Sequence, residues 1–424
     1  MTSPPTHPQP HYALPAVGDG RREANAALVL RTVLDHGPVS RSGIARRAGL
    51  SPAAVSRQCT DLLRLGLVRE AADFGAGNGV GRPQIPVELT PGAAGGPLTC
   101  GVHIGVPQST FCLVDLRGRV VERQAYAHDG VTAESIPHTD LPHADLPERI
   151  GRALARFLAE RTATGPLLGV GAAIGGWVDP DTGTVVRHDA LGWRNEALVR
   201  RLEQHTGLPV RADNHARAVA QSELLFGHAE ARRSLLHLFV GNVVDAALAI
   251  AGTVHSGPGA GAGEVAHLPV PDSTVRCPCG RTGCLEATVS DTALIRTARE
   301  RGIDGAAGPR ALLDAAAGGD RGADALLRER ARAVGRATGL LLDVLNPDLV
   351  VVTERAALTD DAYLAELRHA ATAYSHVCGD PERLVVPHAG PETLPVAAAT
   401  VWLNELFKRP LQNAGNIPSM FPQE

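Results

Sequence analysis

Four residues of metal-binding type crowd one short stretch: His267, Cys277, Cys279 and Cys284. A Cys₃His set supplies the four N/S donors that Zn²⁺ takes as a tetrahedron. Cys277 and Cys279 are too close for an easy mutual disulfide, but both sulfurs can face one metal. Gly280 and Gly283 permit the tight turns that return Cys284 to the same centre. Four filled positions mean a closed, structural zinc with no place for a reacting water. Free thiols or a disulfide knot are the alternative; the rest of the chain has intracellular features, and thiols there stay reduced. Glu264 and Glu286 bracket the ligands, so a metal-fixed loop would carry two carboxylates.

A second chemistry sits near the N-terminus. From Arg21 to Arg82 the chain has ten arginines against five acidic residues, although its formal net charge is −4. Any polyanion site is therefore local. Apolar spacing predicts a first helix through Ala26, Leu28, Leu30, Val33 and Leu34, closed by His36-Gly37-Pro38. Ser40 caps a second helix, 41–48, ending at Gly49. Ser51-Pro52 opens a third, 52–65, stopped by Gly66. Residues 67–70 and 85–89 pair as a hairpin across a Gly-rich tip, 75–81. Three helices and a hairpin make a winged helix-turn-helix. Its third helix would offer Ser51, Ala53, Ala54, Ser56, Arg57 and Gln58 to base edges in the major groove. Arg57 suits guanine or a phosphate. Arg41, Arg46 and Arg47 suit phosphates, and Arg82 a minor groove. The alternative is a small helical module with a solvated arginine face.

The run Glu264-Val265-Ala266-His267, followed by Cys277-x-Cys279-Gly280-x-x-Gly283-Cys284-x-Glu286, resembles the signature of the ROK family of repressors and sugar kinases. Ala266 stands where the family has glycine. The resemblance implies zinc on His267, Cys277, Cys279 and Cys284, and a sugar site lined by Glu264, His267 and Glu286. It extends over nearly all of the chain after residue 20. Gly81-Arg82-Pro83 is similar to the wing-to-core link of ROK repressors, and Leu191-Gly192-Trp193 to a motif beside the sugar. The implied fold is α/β: two actin-like (ribonuclease H-like) lobes of the sugar-kinase type behind the winged helix-turn-helix.

Departures from the kinase pattern are concentrated where ATP would lie. The family's first phosphate loop, D-x-G-G-T, is matched by His103, Gly105, Val106 and Pro107. Its second, G-T-G-x-G, is matched by Gly241-Asn242-Val243-Val244-Asp245. Two glycines are lost there, and Asp245 would repel phosphate. The strand 349–352 is followed by Thr353-Glu354 rather than Gly-Gly. Where the kinases have N-D-A, this chain has Asn214-His215-Ala216; Asn214 can still bond a sugar hydroxyl, and His215, which replaces the catalytic aspartate, is expected with it in the sugar site. Histidine can act as a base, so that change alone decides nothing. Jointly the changes argue against ATP binding and enzymatic activity.

The expected organisation is a disordered tail (1–20), a winged helix-turn-helix (21–92), a kinase-like body (98–409) and a C-terminal tail (410–424). Within the body, lobe one is 98–215 plus 395–409 and lobe two is 216–394. Residues 129–147 read as a Pro/His-rich surface insertion. No apolar run approaches the ~20 residues that span a bilayer, and no secretion signal is evident, so the cytoplasm is expected. The expectation for function is a NagC/XylR-type regulator, most simply a repressor of carbohydrate genes. It binds palindromic operator DNA as a homodimer or homotetramer and senses a sugar or sugar derivative through an inactive kinase body. Two alternatives stand: a regulator that has lost its ligand, motivated by His215 and Ala190, and an ATP-dependent sugar kinase with a DNA-binding appendage.

Overall fold

The computed structural model describes residues 17–71, 85–128, 145–270 and 273–414. The chain divides into two compact units, residues 1–90 with 405–424 and residues 91–404.

In the smaller unit the helix Val17–His36 buries Ala26, Val29, Leu30 and Val33, a stripe spaced by three and four. The helix Arg41–Ala48 starts at Ser40, whose Oγ accepts the Gly43 N–H at 3.1 Å, and ends at Gly49 with φ 65°. The helix Pro52–Arg64 starts at Ser51, which accepts from Ala54 N–H at 3.2 Å, with Pro52 in the first turn. It buries Val55, Cys59 and Leu62. Arg22 ties the first helix to the third through Asp61 at 2.8 Å. Strands Val68–Glu70 and Val87–Leu89 pair antiparallel, with Val68 opposite Leu89. The expected tip at 75–81 and Arg82 lie outside the described residues, as does most of the 129–147 insertion.

Both ends of this unit differ from expectation. The first helix begins at Val17, so residues 17–20 are not tail. Residues 410–414 are helical, with Pro410 and Ala414 buried, because Glu23 accepts the N–H of Leu411 at 2.9 Å and anchors them. Residues 405–409, expected in lobe one, fall in this unit instead.

The larger unit holds two five-stranded sheets built to one plan. In the first, Leu98–Ile104 is central. It runs antiparallel to Gln108–Asp115, which pairs with Val120–Ala127, and parallel to Leu167–Ile174, which pairs with Val210–Asn214. In the second, Ser234–Val240 is central. It runs antiparallel to Val244–Ile250, then Thr253–Val254, and parallel to Leu349–Glu354, then Leu384–Val385. The repeated order is that of the expected two lobes. Every residue of Leu349–Glu354 is buried, as a parallel strand covered on both faces must be. Val120–Ala127 and a small sheet of Trp177–Asp179, Thr184–His188 and Trp193–Glu196 were not anticipated; the first strand is mostly exposed and the other three are short, so neither gives a long apolar signal.

Two helices weld the lobes. The connecting helix His215–Phe226 is buried from His215 through Leu225. Its Ala216, Ala220 and Leu224 pack in the second lobe, while Ala218 and Val219 meet Ala173 of the first sheet. The helix Thr393–Lys408 adds Ala397, Ala398 and Val401 to that seam. It lies so close to the first sheet that a Cβ on Gly171 would stand 2.1 Å from the Ala398 carbonyl oxygen. Only glycine fits there.

Candidate functional site

The four ligand atoms of His267, Cys277, Cys279 and Cys284 lie within 4.8 Å of one another. His267 Nδ1 is 3.6 Å from Cys277 Sγ, and Cys279 Sγ is 3.6 Å from Cys284 Sγ. Zn–S bonds of about 2.3 Å give tetrahedral edges of roughly 3.8 Å, so the donors are spaced for one cation. The separations are too long for disulfides, and all three cysteines are free. Gly280 and Gly283 have φ 89° and 77°, the left-handed turns that bring the chain round. The Cys279 N–H faces the Cys277 sulfur and the Arg281 N–H faces the Cys279 sulfur. The Arg281 N–H and then its guanidinium pull Cys279 down to about 6, towards the thiolate a metal needs; burial pushes Cys277 up to about 12. Burial, then Arg281 and Arg187, lower the His267 pKa and keep a neutral imidazole available.

The loop is pinned to the second sheet. Ala246 N–H donates to Gly263 O at 2.9 Å, and a Cβ on Gly263 would collide with the Ala246 carbonyl oxygen. Glu286 accepts the N–H of Val244 at 3.1 Å. Burial, then Asp245, pushes Glu286 up to about 7; partial desolvation, then Asp245, pushes Glu264 up to about 6. Arg187 and Asp189 of the first lobe act electrostatically on both glutamates. Neither was singled out from sequence. The clue was their place just before Leu191-Gly192-Trp193.

Asn214 and His215 do not offer what the sequence suggested. Asn214 Oδ1 caps the connecting helix, accepting from Ala216 and Arg217 N–H at 2.7 and 3.4 Å. Its Nδ2 donates to Gly176 O at 2.7 Å and to Asp245 Oδ2 at 3.1 Å. Two donors and two lone pairs are spent, leaving nothing for a hydroxyl. An Asn directly before an apolar helical run is an N-cap signal that could have shown this. His215 is buried, with Nε2 3.0 Å from Asp245 Oδ2 and its ring 3.8 Å from that of Phe239. Asp245 also accepts the Gly176 N–H at 3.2 Å. Burial raises its pKa, but His215, Asn214 and Gly176 outweigh burial and hold it below the usual carboxylate range. Asp245 thus joins the second lobe to the first.

The two hairpin turns facing the cleft are closed on themselves. Gly105 N–H donates to Gln108 O at 3.0 Å, and Gly241 N–H donates to Val243 O at 3.0 Å. Pro107 has no N–H. A phosphate needs such amides free and convergent.

In the smaller unit, Ser51, Ala53, Ser56 and Arg57 of the third helix are exposed, as are Arg46 and Arg47 at the end of the second. Arg46, Arg47 and Arg57 make no ion pair among the described residues. Arg41 pairs with Glu70 at 3.2 Å. Gln58 and Ala54 were expected at base edges, but Gln58 is only 4% exposed and Ala54 9%. They share the helix face of Val55, Cys59 and Leu62, which turns inward.

Comparison with known proteins gives two family matches: the ROK family over residues 99–402 and the MarR family over residues 23–74. "Transcriptional regulator Rv0485" of Mycobacterium tuberculosis is 36% identical over 403 residues, covering 92% of this chain and 87% of that one. The "Xylose repressor" of Caldicellulosiruptor bescii is 28% identical, covering 82% and 87%. Among solved structures, a ROK family transcriptional regulator described as a homolog of the E. coli MLC protein superposes with TM-score 0.74 at 21% identity, covering 94% of this chain and 100% of that one. A ROK family glucokinase from Streptomyces griseus, in complex with glucose and AMPPNP, superposes with TM-score 0.61 at 26% identity, covering 71% and 98%.

Proposed function

The chain belongs to the ROK family, on its transcriptional-regulator side, and we propose that it is a repressor of carbohydrate genes whose kinase-like body binds a sugar without phosphorylating it. The observation that carries this is the turn geometry: the Gly105 and Gly241 amides close on Gln108 and Val243 within their own turns. A xylose repressor among the relatives supports a sugar-linked regulon. The glucokinase likeness favours the kinase reading, and the closed turns oppose it.

In this reading Ser56 and Arg57 meet base edges, and Arg46 and Arg47 meet phosphates. The expected operator is palindromic, read by a homodimer or homotetramer with half-sites one or two turns apart. The metal is zinc, held by His267, Cys277, Cys279 and Cys284. When bound it supplies a fixed, closed crosslink and no reacting water. Glu264, Glu286 and the free nitrogen of His267 then face the sugar, with Arg187 and Asp189 opposite; His215 and Asn214 position the cleft wall. The effector acts by favouring one arrangement of the lobes.

Genomic selection with the full chain, followed by titration of the recovered DNA, tests the proposal. Arg57→Ala should weaken binding at particular base positions by ~1–3 kcal/mol, and Arg46→Ala on all sequences with a shallower salt dependence. Equal loss on every sequence for both variants would refute the recognition-helix assignment. Sugar-dependent ATP turnover above background would refute the inactive body.

A further inference from the structure

The cleft beneath the two closed turns is not filled. It is a cavity of about 530 Å³, within the range of small-molecule sites. Apolar side chains of both lobes wall it: Val106 and Pro107 from the first turn, Phe239 and Val243 from the second, with Leu358 and Leu394. The Phe239 ring packs on His215, and His103 stacks on His215 with centroids 6.1 Å apart and planes 14° apart. Burial lowers the His103 pKa to about 3 and that of His188 to about 4, so both walls are neutral at ordinary pH.

The charges lining the cavity are three arginines against one aspartate. Arg123 is held by Glu392 at 2.7 Å. Asp291 is held by Arg330 at 2.7 Å, and Arg330 also meets Glu354 at 3.1 Å. That leaves Arg310 and Arg355, which are exposed and make no ion pair among the described residues. A guanidinium without an acid, beside an apolar cavity, suits a carboxylate attached to an apolar body. A nucleotide fits the same features less well, since the Gly105 and Gly241 amides bond carbonyls of their own turns and no lysine lines the cavity.

We propose that this cavity is a second ligand site, for a small organic acid with an aromatic or aliphatic body, its carboxylate on Arg310 and Arg355. Glu264 and Glu286 do not line it, so it is distinct from the proposed sugar carboxylates, although His215 borders both.

The test titrates the full chain with 1-naphthoate, benzoate and octanoate, by calorimetry and ligand-observed NMR. The uncharged 1-naphthamide and Mg-ATP serve as comparators. At least one acid should saturate a single site, with its amide at least tenfold weaker and no displacement by Mg-ATP. The double variant Arg310→Ala/Arg355→Ala should weaken the acid tenfold or more and leave the amide unchanged. Val243→Trp, which fills the cavity, should weaken both. The proposal is overturned by no saturable binding of any acid, by equal binding of acid and amide, by indifference to the double variant, or by displacement with Mg-ATP.

Discussion

The cysteine loop and the two hairpin turns use their backbone amides in opposite ways. In the loop, N–H groups of Cys279 and Arg281 point at sulfurs, and left-handed glycines hold them there. In the turns, the N–H groups of Gly105 and Gly241 bond carbonyls two or three residues on. The lobes repeat one strand order, so topology cannot distinguish a regulator from a kinase here. On the function proposed above, the destination of a few amides separates the two.

The largest expected effect falls on the loop. Cys279→Ala should lose the metal, lower stability by roughly 3–5 kcal/mol and uncouple effector from operator. Metal analysis, melting and effector-dependent DNA release would be measured on one sample. Full metal content with unchanged melting would remove the loop's structural role. Acid sharpens the other side of the comparison. His103, His188 and His237 are held at about 3, 4 and 4 by burial, against 6.5 unfolded. The unfolded chain binds more protons below pH 6.5, so this stability is full above 6.5 and declines as pH falls towards 4. Each histidine should cost about 1 kcal/mol between pH 7.5 and 5.5. Glu286 and Glu264, raised to about 7 and 6, act in the opposite sense over the same range, so the test is the difference between variants: His188→Asn should remove about 1 kcal/mol of the acid loss in denaturant melts, and no difference from the parent would mean His188 is not neutral.

Gly283→Ala should cost roughly 1–3 kcal/mol, because φ is 77° and its Cβ would stand 2.8 Å from the Ser273 carbonyl oxygen. Asn242→Ala, in a turn already closed, should stay within about 0.5 kcal/mol. Equal costs would dissolve the contrast between loop and turn. The smallest effect is expected for catalysis. His215→Asp alone should restore no sugar phosphorylation in a coupled assay, since the closed turns remain; turnover in that variant would show that they can open to phosphate.

Local signals were legible in the sequence. Ser40, Ser51, Gly49 and the 3-4 apolar spacing placed the small unit's helices, because caps and periodicity act within a few residues. The Cys₃His spacing placed the metal donors for the same reason. What escaped was long-range. Gln58 is polar at a helix position that faces the core, and only packing reveals that. Asn214 looked like a ligand because its partners, Gly176 and Asp245, are 38 and 31 residues away. Asp245 was judged by its charge towards phosphate, whereas its role comes from the lobe opposite. Residues 410–414 gave no periodic signal over one turn, yet Glu23 anchors them.

The doubled use of Asn214 has a kinetic consequence. Its oxygen starts the connecting helix, and its nitrogen holds the opposite lobe. When the lobes part, the oxygen keeps its two amides and the helix does not fray. The Nδ2 and Gly176 bonds to Asp245 and the His215 contact must then be exchanged for water, as must those of Trp177 Nε1 to Gly259 O and Arg217 to Val178 O. Each such exchange is worth about 0.5–1.5 kcal/mol, well short of local unfolding. An opening of the lobes would belong to the microsecond-to-millisecond class of domain motions, and the start of the connecting helix would survive it.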